Sequence, residues 1–479
     1  MRRVNNKCKE RIENIVVEKL FLKGDIYLDS PLAIGSGADD NSDNDIQRDS
    51  MGNPFIPGTS LAGVFKEYLC NNYDSTIGKE IFGEIVIGLE NEENNSKKES
   101  NDNRLSKVIV YDGYFDEGYI ISIRDGVELD INKRAVDKSK YDYEIIEPCT
   151  FFKLKMEIDI RENDRHNKEK YIEAIDYLLC ALIQGKIYIG GKVSRGFGRV
   201  SLDRNSLKYM VVNLESREDL SKLLDFNWES KYFVDYEELK IIDKEDQIVE
   251  IETKITVPNS FIIRRYSGSQ DDVDYESIRS YHSFDETVPV IPGTSWAGVF
   301  MHNTVKILDE ILKNSYRDIP KDVRDIIIKQ FIDELFFEDI IKREDNKEIR
   351  ARSKIFFDET VILDSVPIKQ TRIKIDRFTG GAAEGALYDS KAEYLGHGIL
   401  NIRILEKDDA NVILGMILLI LKDLDNGLIT VGGETAIGRG ILRIDGDIRV
   451  NGTNEYDSNE YYNALARKIK GIKEGLDNE

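Results

Sequence analysis

The sequence predicts an α+β protein built from two tandem copies of one domain. Three echoes, in one order and at nearly one offset, carry that reading. Pro54-Phe55-Ile56-Pro57-Gly58-Thr59-Ser60-Leu61-Ala62-Gly63-Val64-Phe65 recurs as Pro289-Val290-Ile291-Pro292-Gly293-Thr294-Ser295-Trp296-Ala297-Gly298-Val299-Phe300, 235 residues on. Gly190-Gly191-Lys192-Val193-Ser194-Arg195-Gly196-Phe197-Gly198-Arg199 recurs as Gly432-Gly433-Glu434-Thr435-Ala436-Ile437-Gly438-Arg439-Gly440, 242 residues on. A fainter echo sets Leu129-Asp130-Ile131-Asn132 beside Ile375-Asp376-Arg377-Phe378, 246 residues on. Each copy is roughly 200 residues, the size of one fold unit. The expected boundaries are a first domain over 15–205, a crossover over 206–249, a second domain over 250–450 and a C-terminal tail over 451–479.

The elements follow in order. Val16 to Ile34 alternates apolar and polar residues, which predicts a strand pair. A polar acidic loop runs from Gly35 to Ser50. Ile56-Pro57-Gly58-Thr59-Ser60 starts a helix, with Leu61, Val64, Phe65 and Leu69 on one apolar face. Leu89 to Arg104 is polar low-complexity sequence and predicts a disordered insertion. Strands resume at Val108 to Tyr111 and at Phe151 to Ile160. The amphipathic stretch Lys170 to Gln184 predicts a helix, followed by the strand Lys186 to Ile189, the glycine loop and the strand Arg199 to Leu202. Copy two repeats this with a helix over Asn411 to Leu424 and strands over Leu428 to Val431 and Ile441 to Ile444. Strand, helix, strands, helix, strand is the order of a ferredoxin-like or RNA-recognition-like fold.

The 479 residues contain 67 basic and 89 acidic side chains, for a net charge of −22. A free-standing DNA-coating protein normally carries a basic excess, so the charge disfavours that class. Any nucleic-acid contact needs cations focused on one face against the overall charge. The cysteines Cys8, Cys70, Cys149 and Cys180 form no CxxC pair, so no zinc ribbon or redox motif is readable. Met1 to Glu18 lacks the apolar core of a signal peptide, and the longest apolar run, Val412 to Leu421, is too short to span a bilayer. The expectation is a reduced cytoplasmic protein without membrane contact.

Two readings of the glycine loop stand side by side. Glycines let a backbone approach a phosphate closely, and Lys192, Arg195 and Arg199 would neutralise it. Alternatively the loop is a glycine-rich turn with incidental charges. In copy two, Ile437 and Ile441 stand in place of the arginines and Arg439 remains. The four histidines, His166, His282, His302 and His397, show no HxH or HExxH spacing and read as surface or capping residues.

The Pro-x-Ile-Pro-Gly-Thr-Ser-(Leu/Trp)-x-Gly stretch after an acidic loop, with a terminal Gly-Gly-x-x-Ser-Arg-Gly-x-Gly-Arg, resembles the RAMP superfamily of CRISPR-associated proteins. Asp43-Asn44-Asp45-Ile46-Gln47-Arg48-Asp49 resembles the catalytic loop of the backbone subunits of type III effector complexes. Ile373-Lys374-Ile375-Asp376-Arg377-Phe378-Thr379-Gly380-Gly381-Ala382-Ala383 resembles the segment at the base of their thumb hairpin. Two such units in one chain resemble the tandem subunits of type III-D systems. The resemblance implies two ferredoxin-like RAMP domains with inserted loops and thumb hairpins. It implies guide RNA and target RNA as partners, with other effector subunits, including further RAMP proteins and the large polymerase/cyclase-type subunit. It also implies metal-dependent cleavage of target RNA.

By position, Asp43 is similar to the family's catalytic aspartate, with Asp45 its nearest competitor. In copy two Asp274 is the candidate among Asp271, Asp272, Asp274 and Asp285. Asp43 and Asp274 would then bind a divalent ion, Mg²⁺ or Mn²⁺. The expected RNA contacts are Arg48, Ser60, Lys66, Lys192, Arg195, Arg199, Arg372, Arg377 and Arg439. The family often places a lysine after Ser-Leu, where this chain has Ala62 and Ala297, and copy two has Met301 and His302 where copy one has Lys66 and its neighbour. Guide binding through this helix would then rely on its N-terminal amides. The alternative function is a non-catalytic RNA-binding subunit that caps the guide tag in the same complex. A guide-processing ribonuclease is disfavoured, because two positioned imidazoles are lacking.

Overall fold

The computed structural model of the chain describes residues 15–37, 44–84, 105–116, 118–129, 135–237, 239–240, 248–266, 273–315, 319–337, 341–342, 348–349, 353–405 and 409–476. Asp43, the expected insertion over 89–104 and Asp130-Ile131-Asn132 of the faint echo lie outside the described residues, as do Asp271 and Asp272. Two compact units share the chain. The first holds the described residues within Met1–Arg124, Asp142–Gly191 and Gly198–Glu245; the second holds those within Asp125–Tyr141, Lys192–Phe197 and Asp246–Glu479.

The first unit opens with β1 (Val16–Leu28), one long strand rather than the expected pair. Leu20, Leu22, Ile26 and Leu28 point into the core at the period of two, while Lys19, Lys23 and Tyr27 lie on the other face. Then come α1 (Gly58–Asn72), α2 (Ser75–Phe82), β2 (Val108–Val110), a hairpin of β3 (Ile121–Leu129) and β4 (Ala135–Ile146) whose described residues within Asp125–Tyr141 belong to the second unit, β5 (Phe151–Arg161), α3 (Lys168–Ile183) and β6 (Arg199–Leu202). β5 runs antiparallel to the whole of β1, from Val16↔Arg161 to Tyr27↔Phe151. β6 takes the opposite edge at Ile26↔Leu202, and β2 lines the far side of β5 at Val108↔Ile158. The core order is therefore β6-β1-β5-β2. Leu61, Phe65 and Leu69 of α1 and Leu178, Leu179 and Leu182 of α3 close the core over this sheet.

The stretch 206–249, read as a crossover, adds structure to the first unit. β7 (Lys208–Asn213) pairs with β1 at Glu18↔Asn213 through Lys23↔Lys208, beside β6 on the same edge. α4 (Arg217–Leu224) follows, capped by Ser216, whose hydroxyl accepts from the Asp219 amide. Phe226 and Trp228 then cover Phe21 and Phe233 on the outer face of the sheet.

The second unit repeats the plan with β8 (Val249–Thr256), α5 (Gly293–Ser315), α6 (Lys321–Phe336), β9 (Ile355–Phe357), a hairpin of β10 (Val366–Ile375) and β11 (Ala382–Tyr394), β12 (His397–Ile404), α7 (Ala410–Asp425) and β13 (Arg443–Ile444). Its sheet order is β13-β8-β12-β9, the same antiparallel ferredoxin-like order as in the first unit. The tail carries α8 (Ser458–Leu476), which buries Leu465, Ile469 and Ile472 against α7. Among the described residues, no helix is long and apolar enough to cross a membrane.

The repeated motifs mark the places where backbones touch. A Cβ on Gly58 would stand 2.1 Å from the Val110 carbonyl oxygen, and one on Gly293 would stand 2.1 Å from that of Phe357. In both units the helix begins directly over the end of the second core strand, and only glycine fits. The glycine loops repeat the device. Gly190 and Gly432 have φ of 80° and 90°, and the next amide, of Gly191 or Gly433, donates to Ala33 O or Ile262 O. Gly198 and Gly440 have φ of 79° and 80° and would place a Cβ 1.9 Å from Ile189 O and 2.1 Å from Val431 O. The glycines thus serve the fold, as the bland reading of the loop holds. Gly440→Ala should cost about 2–4 kcal/mol, combining positive φ with a backbone clash. A denaturation midpoint unchanged from wild type would show that the loop can shift away from the Val431 carbonyl.

Candidate nucleic-acid interface

With its glycines committed to the fold, the first glycine loop keeps two cations at one aromatic ring. Lys192 stands at φ 58° and puts Nζ 4.9 Å from the centroid of the Tyr141 ring, a cation–π contact. Arg195 is exposed and donates from Nη1 to the Tyr141 hydroxyl at 3.1 Å. All three residues belong to the second unit, Tyr141 on the return strand of the first hairpin. Burial, with the neighbouring Arg195 charge, brings the Lys192 ammonium down to about 8. The sequence reading missed Tyr141. Nothing in the sequence separates it from Tyr143 two residues on, which is buried. Arg199 lies in the first unit and is engaged there: its Nε donates to Gly185 O at 3.2 Å and stands 4.0 Å from Asp29.

The acidic loop and α1 use their charges internally. Asp45 is 2% exposed, in a two-residue strand paired with Gly35–Gly37. Arg48 makes a bidentate pair with Glu144, at 2.8 and 3.1 Å, and Glu144 also accepts the Ile46 amide. The hydrogen bonds to Glu144 raise the Arg48 pKa, with Asp45 adding to the effect. Lys66 donates to Gly83 O at 2.6 Å, at the C-terminal end of α2, where a cation meets the helix dipole. At the start of α1, the Gly58 amide is taken by Asp112 at 2.7 Å. The helix terminus expected to receive a phosphate therefore already holds a carboxylate of the same unit. Ser60 is exposed on the first turn.

In the second repeat the glycine loop has the opposite charge. Glu434 occupies the place of Lys192 with the same backbone, φ 56°, and its side chain is 4% exposed. Its Oε2 lies 3.1 Å from Arg439 Nε and 3.3 Å from Arg372 Nη1, and its Oε1 lies 3.4 Å from Arg264 Nη2. Arg439, expected at the RNA, is 2% exposed and sits inside this cluster, in the place that Phe197 fills in the first loop. Desolvation lowers its pKa, against the pull of Glu434. Arg372 is half-buried on β10 and belongs to the same cluster.

The Ile-Asp-Arg-Phe-Thr-Gly segment is placed differently from the expected thumb base. Ile375 pairs with Ala382, so Asp376 to Gly381 form the turn at the far end of the hairpin. Asp376 accepts the Thr379 and Phe378 amides there, which lowers its pKa. Arg377 is exposed in that turn, and Phe378 is 101% exposed. Ile373, Ile375 and Leu387 are also exposed along the hairpin. Asp274 is exposed, and its Oδ2 accepts the Asp389 amide of β11 at 2.8 Å.

The expected divalent ion needs several converging donors. Among the described residues, no group of three or more His, Cys, Asp and Glu side chains is placed to hold one. Asp274 is a single carboxylate with one oxygen already engaged, and does not make such a site. The Lys192 environment has a pH consequence. Its folded pKa of about 8 lies below the ordinary 10.5, so between those values the unfolded chain binds more protons. Stability should rise with pH across that window, and the wild type should gain on Lys192→Met from pH 8 to 10.5. A difference that stays flat in urea titrations over this range would place Lys192 in water.

The RAMP superfamily matches residues 25–201 and 282–443, more than half of the chain. Comparison with curated proteins found no match. The two matched regions hold both helix starts over a strand end and both glycine loops, and the chain belongs to the RAMP superfamily.

Proposed function

We propose that the chain is a guide-RNA-binding backbone subunit of a type III CRISPR effector complex, in the tandem form of type III-D. The observation that carries this reading is a pair of helix glycines. Gly63 in α1 and Gly298 in α5 are exposed, at equivalent positions of the two repeats, with nothing within 4 Å of an added Cβ. Glycine inside a helix costs about 0.5–1 kcal/mol relative to alanine. Neither unit needs these glycines for its own packing, unlike Gly58 and Gly293. A bare helix surface at both positions lets a sugar–phosphate backbone approach closely. Ser60 lies one turn before Gly63, and on the second hairpin Arg377 and the exposed Phe378 offer a cation and a ring for a splayed base. Gly63→Ala and Gly298→Ala should each raise stability by about 0.5–1 kcal/mol. Gly63→Leu should weaken guide-RNA binding about tenfold, or ~1.4 kcal/mol. Unchanged affinity in filter binding for Gly63→Leu and Gly298→Leu together would remove these helices from the RNA path.

The finer part of the proposal is cleavage of complementary target RNA at the acidic loop of the first repeat, with Asp43 as the residue that acts. Splaying the RNA aligns a 2′-hydroxyl for in-line attack on the adjacent phosphate, so one well-placed carboxylate suffices to orient it. Mg²⁺ or Mn²⁺ would supply charge neutralisation at the phosphate. The described residues form no donor set for the ion, so no step is placed on it. Asp274 is the corresponding residue proposed for the second repeat.

A second reading, a non-catalytic RNA-binding subunit, is favoured by the burial of Asp45 and by the bond from Asp389 to Asp274. One experiment separates the two. In the assembled complex with end-labelled target and Mg²⁺ or Mn²⁺, Asp43→Ala should abolish one cut while assembly and target binding persist. Asp274→Ala should abolish another. If the double variant keeps the full ladder, the chain is a scaffold and the scissile chemistry belongs to another subunit.

A further inference from the structure

The two glycine loops share a feature that RNA binding does not explain. Lys192 and Glu434 both hold the left-handed conformation, at φ 58° and 56°. Glycine is the residue that this backbone favours, and a long side chain there costs about 1 kcal/mol or more. In both repeats that disfavoured side chain reaches a hairpin. Lys192 meets the ring of Tyr141, and Tyr141 in turn closes over Gly126 on the other strand of its hairpin, where an added Cβ would lie 2.3 Å from the ring. Glu434 meets Arg372 on β10 at 3.3 Å. From there Gln370 accepts from Arg439 at 2.7 Å and from Arg372 at 3.0 Å, and donates to the Tyr394 hydroxyl on β11 at 2.7 Å. Each contact chain thus spans both strands of its hairpin.

We propose that the left-handed residue of each glycine loop is a latch that fixes the hairpin of its repeat against that loop. The chemistry of the two latches is opposite, a cation on an aromatic ring in one and a carboxylate among three guanidiniums in the other. The backbone beneath is the same. The second latch is not arranged for greatest stability, since the Arg439 Nη1 atom is buried without a hydrogen-bond partner. A buried ion pair adds little net stability, while loss of one member leaves the others uncompensated. Lys192 and Glu434 are therefore positioning residues. The proposal concerns the free chain and stands or falls independently of the RNA reading.

The test is hydrogen exchange on the full chain without RNA. Glu434→Ala should speed exchange of the amides in 366–375 and 382–394 by at least about tenfold, while those of β8 and β12 keep their wild-type rates. Arg372→Ala should give the same local pattern, and the double variant should be no faster than either single one, because both break one link. Lys192→Ala should speed exchange in 121–129 and 135–146 in the same way. Should Glu434→Ala fail to fold, Glu434→Gln keeps the shape and removes the charge, and a smaller rise confined to the same hairpin is expected. Hairpin amides at wild-type rates, or a rise shared by the whole unit, would overturn the latch.

Discussion

In both repeats the chain leaving the first core strand runs so close beneath the glycine loop that amide meets carbonyl with no side chain between. Ala33 O accepts from Gly191 and Ile262 O from Gly433, and an added Cβ on Gly190 or Gly432 would stand 2.5 Å from that same oxygen. This approach fixes where the loop can lie, and the loop in turn fixes the left-handed residue that follows its paired glycines. The last core strand can begin only after Gly198 or Gly440 has turned the backbone through positive φ. Such a constraint is independent of charge. That independence is why the two loops keep one backbone while Lys192 and Phe197 of the first are replaced by Glu434 and Arg439 in the second.

The helix starts obey a second close approach. Gly58 and Gly293 lie over the last carbonyl of the second core strand, so α1 and α5 leave the sheet at a fixed point. The glycine five residues further on has no such duty in either repeat. One motif thus joins a position demanded by packing to one that the fold leaves bare. The distinction matters for function, because a residue that the fold does not need is free to serve a partner.

An acidic protein that meets RNA must keep cations from being neutralised by its own carboxylates. Four of the cations expected at the RNA are spent internally here: Arg48 on Glu144, Lys66 on the end of α2, Arg199 on Gly185 O and Asp29, and Arg439 on Glu434. Arg195, exposed against the Tyr141 hydroxyl, and Arg377, exposed in the hairpin turn, are placed toward solvent. Among the described cations expected at the RNA, these two are the exposed ones.

The sequence by itself determined the duplication, the ferredoxin-like element order and the positions of the helix starts and glycine loops. These depend on local periodicity and on residues whose backbone preferences act within a few positions, so they are written where they act. It did not determine which charges reach solvent. Arg48 finds Glu144 at a separation of 96 residues, and Gln370 finds Arg439 at a separation of 69. β7 was likewise hidden, because Lys208–Asn213 becomes a strand only by pairing with β1 far upstream. The Ile-Asp-Arg segment became a hairpin turn through the register of β10 on β11. Only the tertiary structure decided these matters, because a side chain's electrostatic partner is chosen by the fold and not by its neighbours in sequence.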